Sequence, residues 1–327
     1  ITTVFIFQII LSLFGRATFI LYIMQSFSIS FIIFMLYKIA NILFEDEDTN
    51  YIVVILGALC FPLIFYVAFV YGLLPGMFLT LVAYYYFIKY TKEKHWYQLV
   101  ISALSINLAI LLIGNNLIHL LAIFAVAVIY FIRNKDWKVI AFIVSCMFLM
   151  SASKSVITNY YEVKSQKEIA EGVPKITWIA MGMQEGEREA GWWNRFNYDI
   201  MPEEEYDTKR ITEISKTSMK QRLNVFRDNP RYALDFYQRK YENQFIEPTF
   251  QSLLVTAPQR NFSNETTLEK IRDFFVKQIY FNHTHTVLEF IMKVFQVFSY
   301  LFTFVFAVVM YKQKNEFFAI IPIAFIG

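Results

Sequence analysis

The stretch ATFILYIMQSFSISFIIFMLYKIANILF, Ala17 to Phe44, carries a single charge, Lys38, and decides the class of this chain. A helix needs about 20 mostly apolar residues to cross the hydrocarbon core of a bilayer, and this run exceeds that length. Gln25, Ser26, Ser28 and Ser30 are expected to face neighbouring helices, because polar groups inside a bilayer turn towards a bundle or one another. The same character recurs elsewhere. The 327 residues are 57% hydrophobic and 17% charged, with 35 Phe and 21 Tyr, whereas soluble domains carry about 25% charged residues. The chain reads as an all-α polytopic membrane protein.

Outward from this run, apolar segments follow one another. Upstream, Ile1–Phe14 is apolar but short, as a helix cut at its start would be. Downstream come 51–71 with Pro62 as a kink, a turn over Gly72–Gly76, then 77–90, 95–112, 117–132 and 137–150. After a long polar region, 287–311 and 317 onward return to apolar sequence, which makes about nine segments by the length rule. Ile1 is not Met and Gly327 lies inside an apolar run, so the chain reads as a piece of a longer protein. The expected division is a transmembrane bundle of about seven spans over 1–153, an extracytoplasmic region over 154–286 and further transmembrane helices over 287–327.

Orientation follows from basic residues in short loops. Lys89, Lys92 and Lys94, then Arg133, Lys135 and Lys138, then Lys312 and Lys314 occupy one set of turns; the alternate set holds only Arg16. The basic set is placed in the cytoplasm, which puts 154–286, Tyr71-Gly72 and Asn115-Asn116 outside. The outer region holds 19 Lys+Arg and 19 Asp+Glu, 38 of the 57 charged residues, and too many aromatics for disorder. It is expected to be helical. Thr208–Asp228 carries an apolar stripe, Asn229-Pro230 is an N-cap followed by proline at the first helical position, and Thr266 with Glu269 has capping-box spacing. These helices are expected to lie on the outer membrane face or to cap the bundle there. A net charge of +3 is too small to imply nucleic acid. Cys60 and Cys146, far apart in apolar runs, imply neither a disulfide framework nor a metal site.

Two outer stretches hold candidate binding residues. PKITWIAMGMQEGEREAGWWNRFNY, Pro174 to Tyr198, contains three of the five tryptophans (Trp178, Trp192, Trp193) with Gly182, Gly186, Gly191, Glu185 and Asn194. Rigid aromatic area beside glycine turns and polar groups suits a flat, hydroxylated ligand such as a sugar, although amphipathic rings also collect at lipid headgroups. The second stretch, Gln244 to Ser252, offers Gln244, Glu247 and Gln251 to sugar hydroxyls, or forms a plain turn between helices; Pro248 holds Glu247 extended. Tyr71, before Gly72, and Asn116 complete the set, with a helix cap and a loop tip as their plain readings. Glu185, Glu187 and Glu189 offer oxygen ligands to a divalent cation, but in no specific spacing, and a Glu run in a wet loop is ordinarily solvated. His283 and His285 are a weak metal signal, and no other cofactor is implied.

These stretches resemble a known class. Leu59-Cys60-Phe61-Pro62 leading to Tyr71-Gly72, Asn115-Asn116, Trp178 to Glu185 with Gly191-Trp192-Trp193-Asn194, and Asn243 to Ser252 are similar to the polytopic GT-C glycosyltransferases. The likeness is to the family-39-like membrane proteins of Gram-positive bacteria, relatives of protein O-mannosyltransferases and aminoarabinose transferases. The resemblance implies a GT-C-like helix bundle with a mostly helical extracytoplasmic region. It implies a polyprenyl-phosphate-linked sugar as donor and an envelope glycopolymer or glycolipid as acceptor, on the outer face of the bilayer. In this class the catalytic carboxylate sits in a first external loop, upstream of Ile1, so no catalytic base is assigned here. Leu73 and Gly114 depart from the polar or acidic residue and the basic residue common at those places. A non-enzymatic transporter or flippase of lipid-linked sugars and a polysaccharide polymerase are the alternatives.

Overall fold

The computed structural model describes residues 2–15, 19–169, 172–203, 207–257, 266–281 and 283–312, with side chains except at 202, 203, 283–285, 306, 307 and 309–312. The described residues form helices and no strand. The chain divides into two compact units, Ile1–Tyr160 with Thr249–Gly327, and Tyr161–Pro248.

The first unit holds α1 (Thr2–Phe14), α2 (Phe19–Phe44), α3 (Glu47–Ala58), α4 (Phe61–Phe65), α5 (Leu73–Glu93), α6 (Trp96–Leu112), α7 (Leu117–Asn134) and most of α8 (Trp137–Ser165). Among the described residues, four helices are long and apolar enough to cross a membrane: α2, Gly114–Asn134, α8, and 286–305 of a later helix. The pair Glu47–Ala58 and Phe61–Ala68 makes a fifth if counted as one span, although it bends by 49°. The kink expected at Pro62 within the span over 51–71 takes the form of a break between α3 and α4. Proline at the second position of α4 has no N–H to give to a ladder running on from α3.

Two other boundaries are corrected. The expected turn over Gly72–Gly76 is confined to Gly72, which caps α5 in the left-handed region (φ 86°), and Gly76 lies inside that helix. The segment begun at Trp137 continues as one helix to Ser165, past the expected end at Met150, because no Gly or Pro interrupts 151–165. The segment from 317 onward lies outside the described residues.

The bundle core forms where small residues let helices approach, as in membrane bundles generally. Ala83, Ala103, Ala109, Ala122 and Ala127 are buried with Phe87, Ile106, Leu120, Ile123 and Tyr130. Ser102 donates to the Ala83 carbonyl at 2.9 Å and Asn107 to Ser153 Oγ at 2.9 Å, so polar atoms inside the bundle pair with one another. The basic turns after α5 and α7 lie at one end. There Lys92 meets Glu45 at 2.8 Å, Lys94 meets Asp136 at 3.7 Å, and Lys94 and Lys135 close α5 and α7 with left-handed caps. At the opposite end, Thr3 donates to the Leu112 carbonyl at 2.7 Å, satisfying an acceptor that the end of α6 leaves open.

The second unit contains α9 (Lys175–Met181), α10 (Phe196–Glu203), α11 (Thr208–Asp228) and α12 (Pro230–Ile246). Asn229 is the expected N-cap of α12, accepting from the N–H of Tyr232, and at the start of α11 Asp207 accepts from the N–H groups of Lys209 and Arg210. The chain then returns to the first unit through α13 (Ser252–Thr256), α14 (Thr267–Tyr280) and α15 (His283–Lys312). The expected Thr266–Glu269 capping box is present in both directions.

Candidate functional site

The tryptophan-rich stretch is built by two helices, each presenting a periodic stripe to it. Along α11, Ser215, Ser218 and Arg222 recur at helical spacing. Ser215 meets Thr177 (2.9 Å), Ser218 accepts from Gln184 (2.7 Å), and Arg222 Nε donates to the Met183 carbonyl (2.7 Å). Along α12 the stripe is Tyr232, Phe236, Lys240 and Asn243. Tyr232 donates to Glu185 (2.6 Å), Lys240 Nζ to the Gly182 carbonyl (2.7 Å) and Asn243 to the Ala190 carbonyl (3.0 Å), while Phe236 is buried with Met183, Ala190 and Phe226. Residues three, four and seven apart share a helix face, so both helices grip the loop along their lengths. Arg222 also donates to Tyr232 Oη (2.8 Å) and lies over the rings of Phe226, Tyr232 and Phe236.

Asn194 closes the loop on itself. Its amide donates to the carbonyls of Met181 (2.8 Å) and Gln184 (3.1 Å), and its oxygen accepts from the Phe196 N–H. A Cβ at Gly186 would stand 2.6 Å from Asn194 Cβ, and one at Gly191 would stand 3.0 Å from the Lys240 carbonyl oxygen. Gly191 has φ 98°, so both close approach and conformation call for glycine there. Burial holds the Lys240 ammonium below the ordinary lysine range.

The candidate residues thus take different positions. Gly182, Glu185 and Asn194 are joined within the loop assembly, and Glu185 also faces Arg239 at 3.8 Å. Trp178 and Trp193 stand at the surface, about half exposed, the latter with its indole N–H on Asn197 (3.0 Å). Trp192 is partly covered, with Arg188 over its ring at 5.8 Å. Gln244 is exposed on the last turn of α12, and Glu247 is extended (φ −74°, ψ 108°) before Pro248. The boundary between the two compact units falls after Pro248, so Gln251 belongs to the first unit, at φ 62° just before α13. There Thr249 and Ser252 are buried, and Tyr66 Oη donates to the Phe250 carbonyl.

Tyr71 and Asn116 lie at the end of the bundle opposite the basic turns. Tyr71 is exposed beside Phe69. Asn116 is buried and donates to the Ala109 carbonyl at 2.8 Å, with Gly76 beneath it; a Cβ on Gly76 would stand 2.8 Å from Asn116 Nδ2. Towards this same end α1, α2, α5 and α6 enclose an open apolar groove of about 440 Å³, lined by Ile6, Ile10, Met24, Phe27, Phe78 and Leu108 among others, with Ser28 its one polar side chain. Among the described residues no three of His, Cys, Asp and Glu converge as metal ligands. The side chains of His283 and His285 lie outside them.

Sequence reasoning passed over Arg222, Tyr232 and Lys240. The stripe of Tyr232, Phe236, Lys240 and Asn243 was a legible signal, but nothing in the sequence said which loop it meets. No family model, curated protein or solved structure matches this chain.

Proposed function

We propose that this chain belongs to a membrane glycosyltransferase that moves a sugar from a polyprenyl-phosphate donor to an acceptor in the cell envelope. The observation that carries this reading is the open apolar groove of about 440 Å³ at the end of the bundle that bears Gly72 and Asn116. Its size lies within the roughly 300–1,000 Å³ of small-ligand sites. A lining with one hydroxyl and no charge suits a hydrocarbon chain rather than a soluble metabolite. In the second unit, the exposed faces of Trp178 and Trp193 offer stacking surface for a sugar ring. Gly182, Glu185 and Asn194 shape the loop that holds them.

In this reading an acceptor hydroxyl attacks the anomeric carbon. The bond from that carbon to the phosphate oxygen breaks, polyprenyl phosphate leaves, and the hydroxyl proton passes to a carboxylate acting as general base. The test uses the protein in nanodiscs, a panel of polyprenyl-phosphate sugars and crude envelope glycopolymer. Acceptor-dependent release of polyprenyl phosphate is expected from one donor, with a lower rate in Trp178→Ala and Trp193→Ala at unchanged membrane insertion. Release that ignores the acceptor, or none from any donor, would count against transfer.

A second reading has its own support. The 49° break between Glu47–Ala58 and Phe61–Ala68 is a discontinuous apolar helix, a feature of transporters. Movement of a fluorescent lipid-linked sugar across proteoliposomes, without release of polyprenyl phosphate, would select it.

A further inference from the structure

Helix α14 presents its apolar side away from the protein. Leu268, Ile271 and Phe275 recur at i, i+3 and i+7 and so share one face. Leu268 is 80% exposed and Phe275 58%. On the other side of the same helix Asp273 is only 3% exposed and pairs with Arg272 at 2.7 Å. The burial pattern is the reverse of that of a helix capping a bundle, where the apolar stripe would be covered and the carboxylate wet. Tyr280 Oη pairs with Thr256 Oγ1 at 2.7 Å, which ties the end of α14 to α13 in this orientation.

We infer that α14 is an interfacial helix, lying along the bilayer surface with Leu268, Ile271 and Phe275 inserted among the acyl chains. Continuity of the chain selects lipid as the occupant. The helix ends at Tyr280, α15 begins at His283, and residues 286–305 of α15 are long and apolar enough to cross a membrane. The C-terminus of α14 is therefore held within a few residues of the point where the chain enters hydrocarbon. An exposed stripe of Leu, Ile and Phe tethered there meets the headgroup boundary before any soluble partner. The flanks fit as well: Lys270 and Lys277 are exposed and lie off the apolar stripe, where a cation reaches phosphate groups while the stripe faces inward. Phe281, 60% exposed, continues the aromatic edge at headgroup depth. The inference does not depend on the proposed transfer reaction or on which side of the membrane the helix occupies.

The test is spin-label accessibility on the full chain in nanodiscs of phosphatidylethanolamine and phosphatidylglycerol, in a Cys60→Ser, Cys146→Ala background. Labels are placed through Phe275→Cys and Lys270→Cys. The ratio of oxygen to nickel-chelate collision rates is expected to be several-fold higher at 275 than at 270. Equal nickel-chelate access at both positions would mean a wet face and would overturn the inference. Shielding of 275 from both reagents would mean that protein covers the stripe, and would overturn it equally. Ile271→Cys gives the same reading on the same face should Phe275→Cys fail to assemble.

Discussion

The Lys240 ammonium donates to the Gly182 carbonyl at 2.7 Å across 58 residues of chain, and Gly191 packs against the same lysine on the other strand of the loop. One side chain of α12 therefore joins both halves of the tryptophan-rich stretch.

Lys240→Met should cost about 1 kcal/mol, the usual net worth of an intramolecular hydrogen bond, and should loosen the loop. Burial lowers the Lys240 pKa in the folded chain, so the unfolded state holds this proton more tightly. Stability of the second unit should therefore rise as pH climbs from the folded value towards the ordinary lysine value, and stay flat in this term below that window. Alkaline melts followed by tryptophan fluorescence, to which Trp178, Trp192 and Trp193 contribute, should show this slope in the parent and lose it in Lys240→Met.

Gly186→Ala should destabilise the loop by about 1–3 kcal/mol, the usual cost of overpacking, because its Cβ would stand 2.6 Å from that of Asn194. Gly114→Ala meets nothing within 4 Å and should change stability by less than about 0.5 kcal/mol. Limited proteolysis over 182–195 and thermal melts compare the two. Equal behaviour would contradict the packing described.

Arg222→Lys should be poorly tolerated although charge is retained. The guanidinium donates to both Met183 and Tyr232 and lies over three rings, and a lysine cannot reproduce a planar, forked donor. A loss of about 1–2 kcal/mol is expected, read as a lower melting temperature with faster cleavage near Met183.

Gly76→Ala and Asn116→Ala should couple. The new Cβ displaces the Asn116 amide from its bond to Ala109, so Gly76→Ala should cost clearly less once Asn116 is already alanine. A double-mutant cycle in detergent melts should give an interaction of about 0.5–2 kcal/mol; additivity would separate the two residues.

Ser28→Trp fills the groove between α1, α2, α5 and α6. If a lipid-linked donor uses that groove, its KM should rise several-fold while the expressed, inserted amount stays constant. Unchanged kinetics would place the lipid chain elsewhere.

Much of the helical plan could be read along the chain. Apolar runs marked α2, α7 and α8, and caps at Asn229 and Thr266 marked helix starts, because length and capping depend on neighbours in sequence. Pro62 marked the bend between α3 and α4, whereas the run of α8 through Ser165 was less visible, since polarity does not end a helix.

What the sequence by itself determined is an all-helical, apolar chain with one strongly polar region and a tryptophan-rich stretch within it. Periodicity and composition are local, and they suffice for that much. Tertiary structure alone decided that Ser215, Ser218 and Arg222 of one helix and Tyr232, Lys240 and Asn243 of the next grip the same loop. It also decided that the stripe of α14 faces outward while Asp273 is buried. An amphipathic pattern specifies that a face will be covered; what covers it depends on the rest of the chain and on the solvent, here water or lipid.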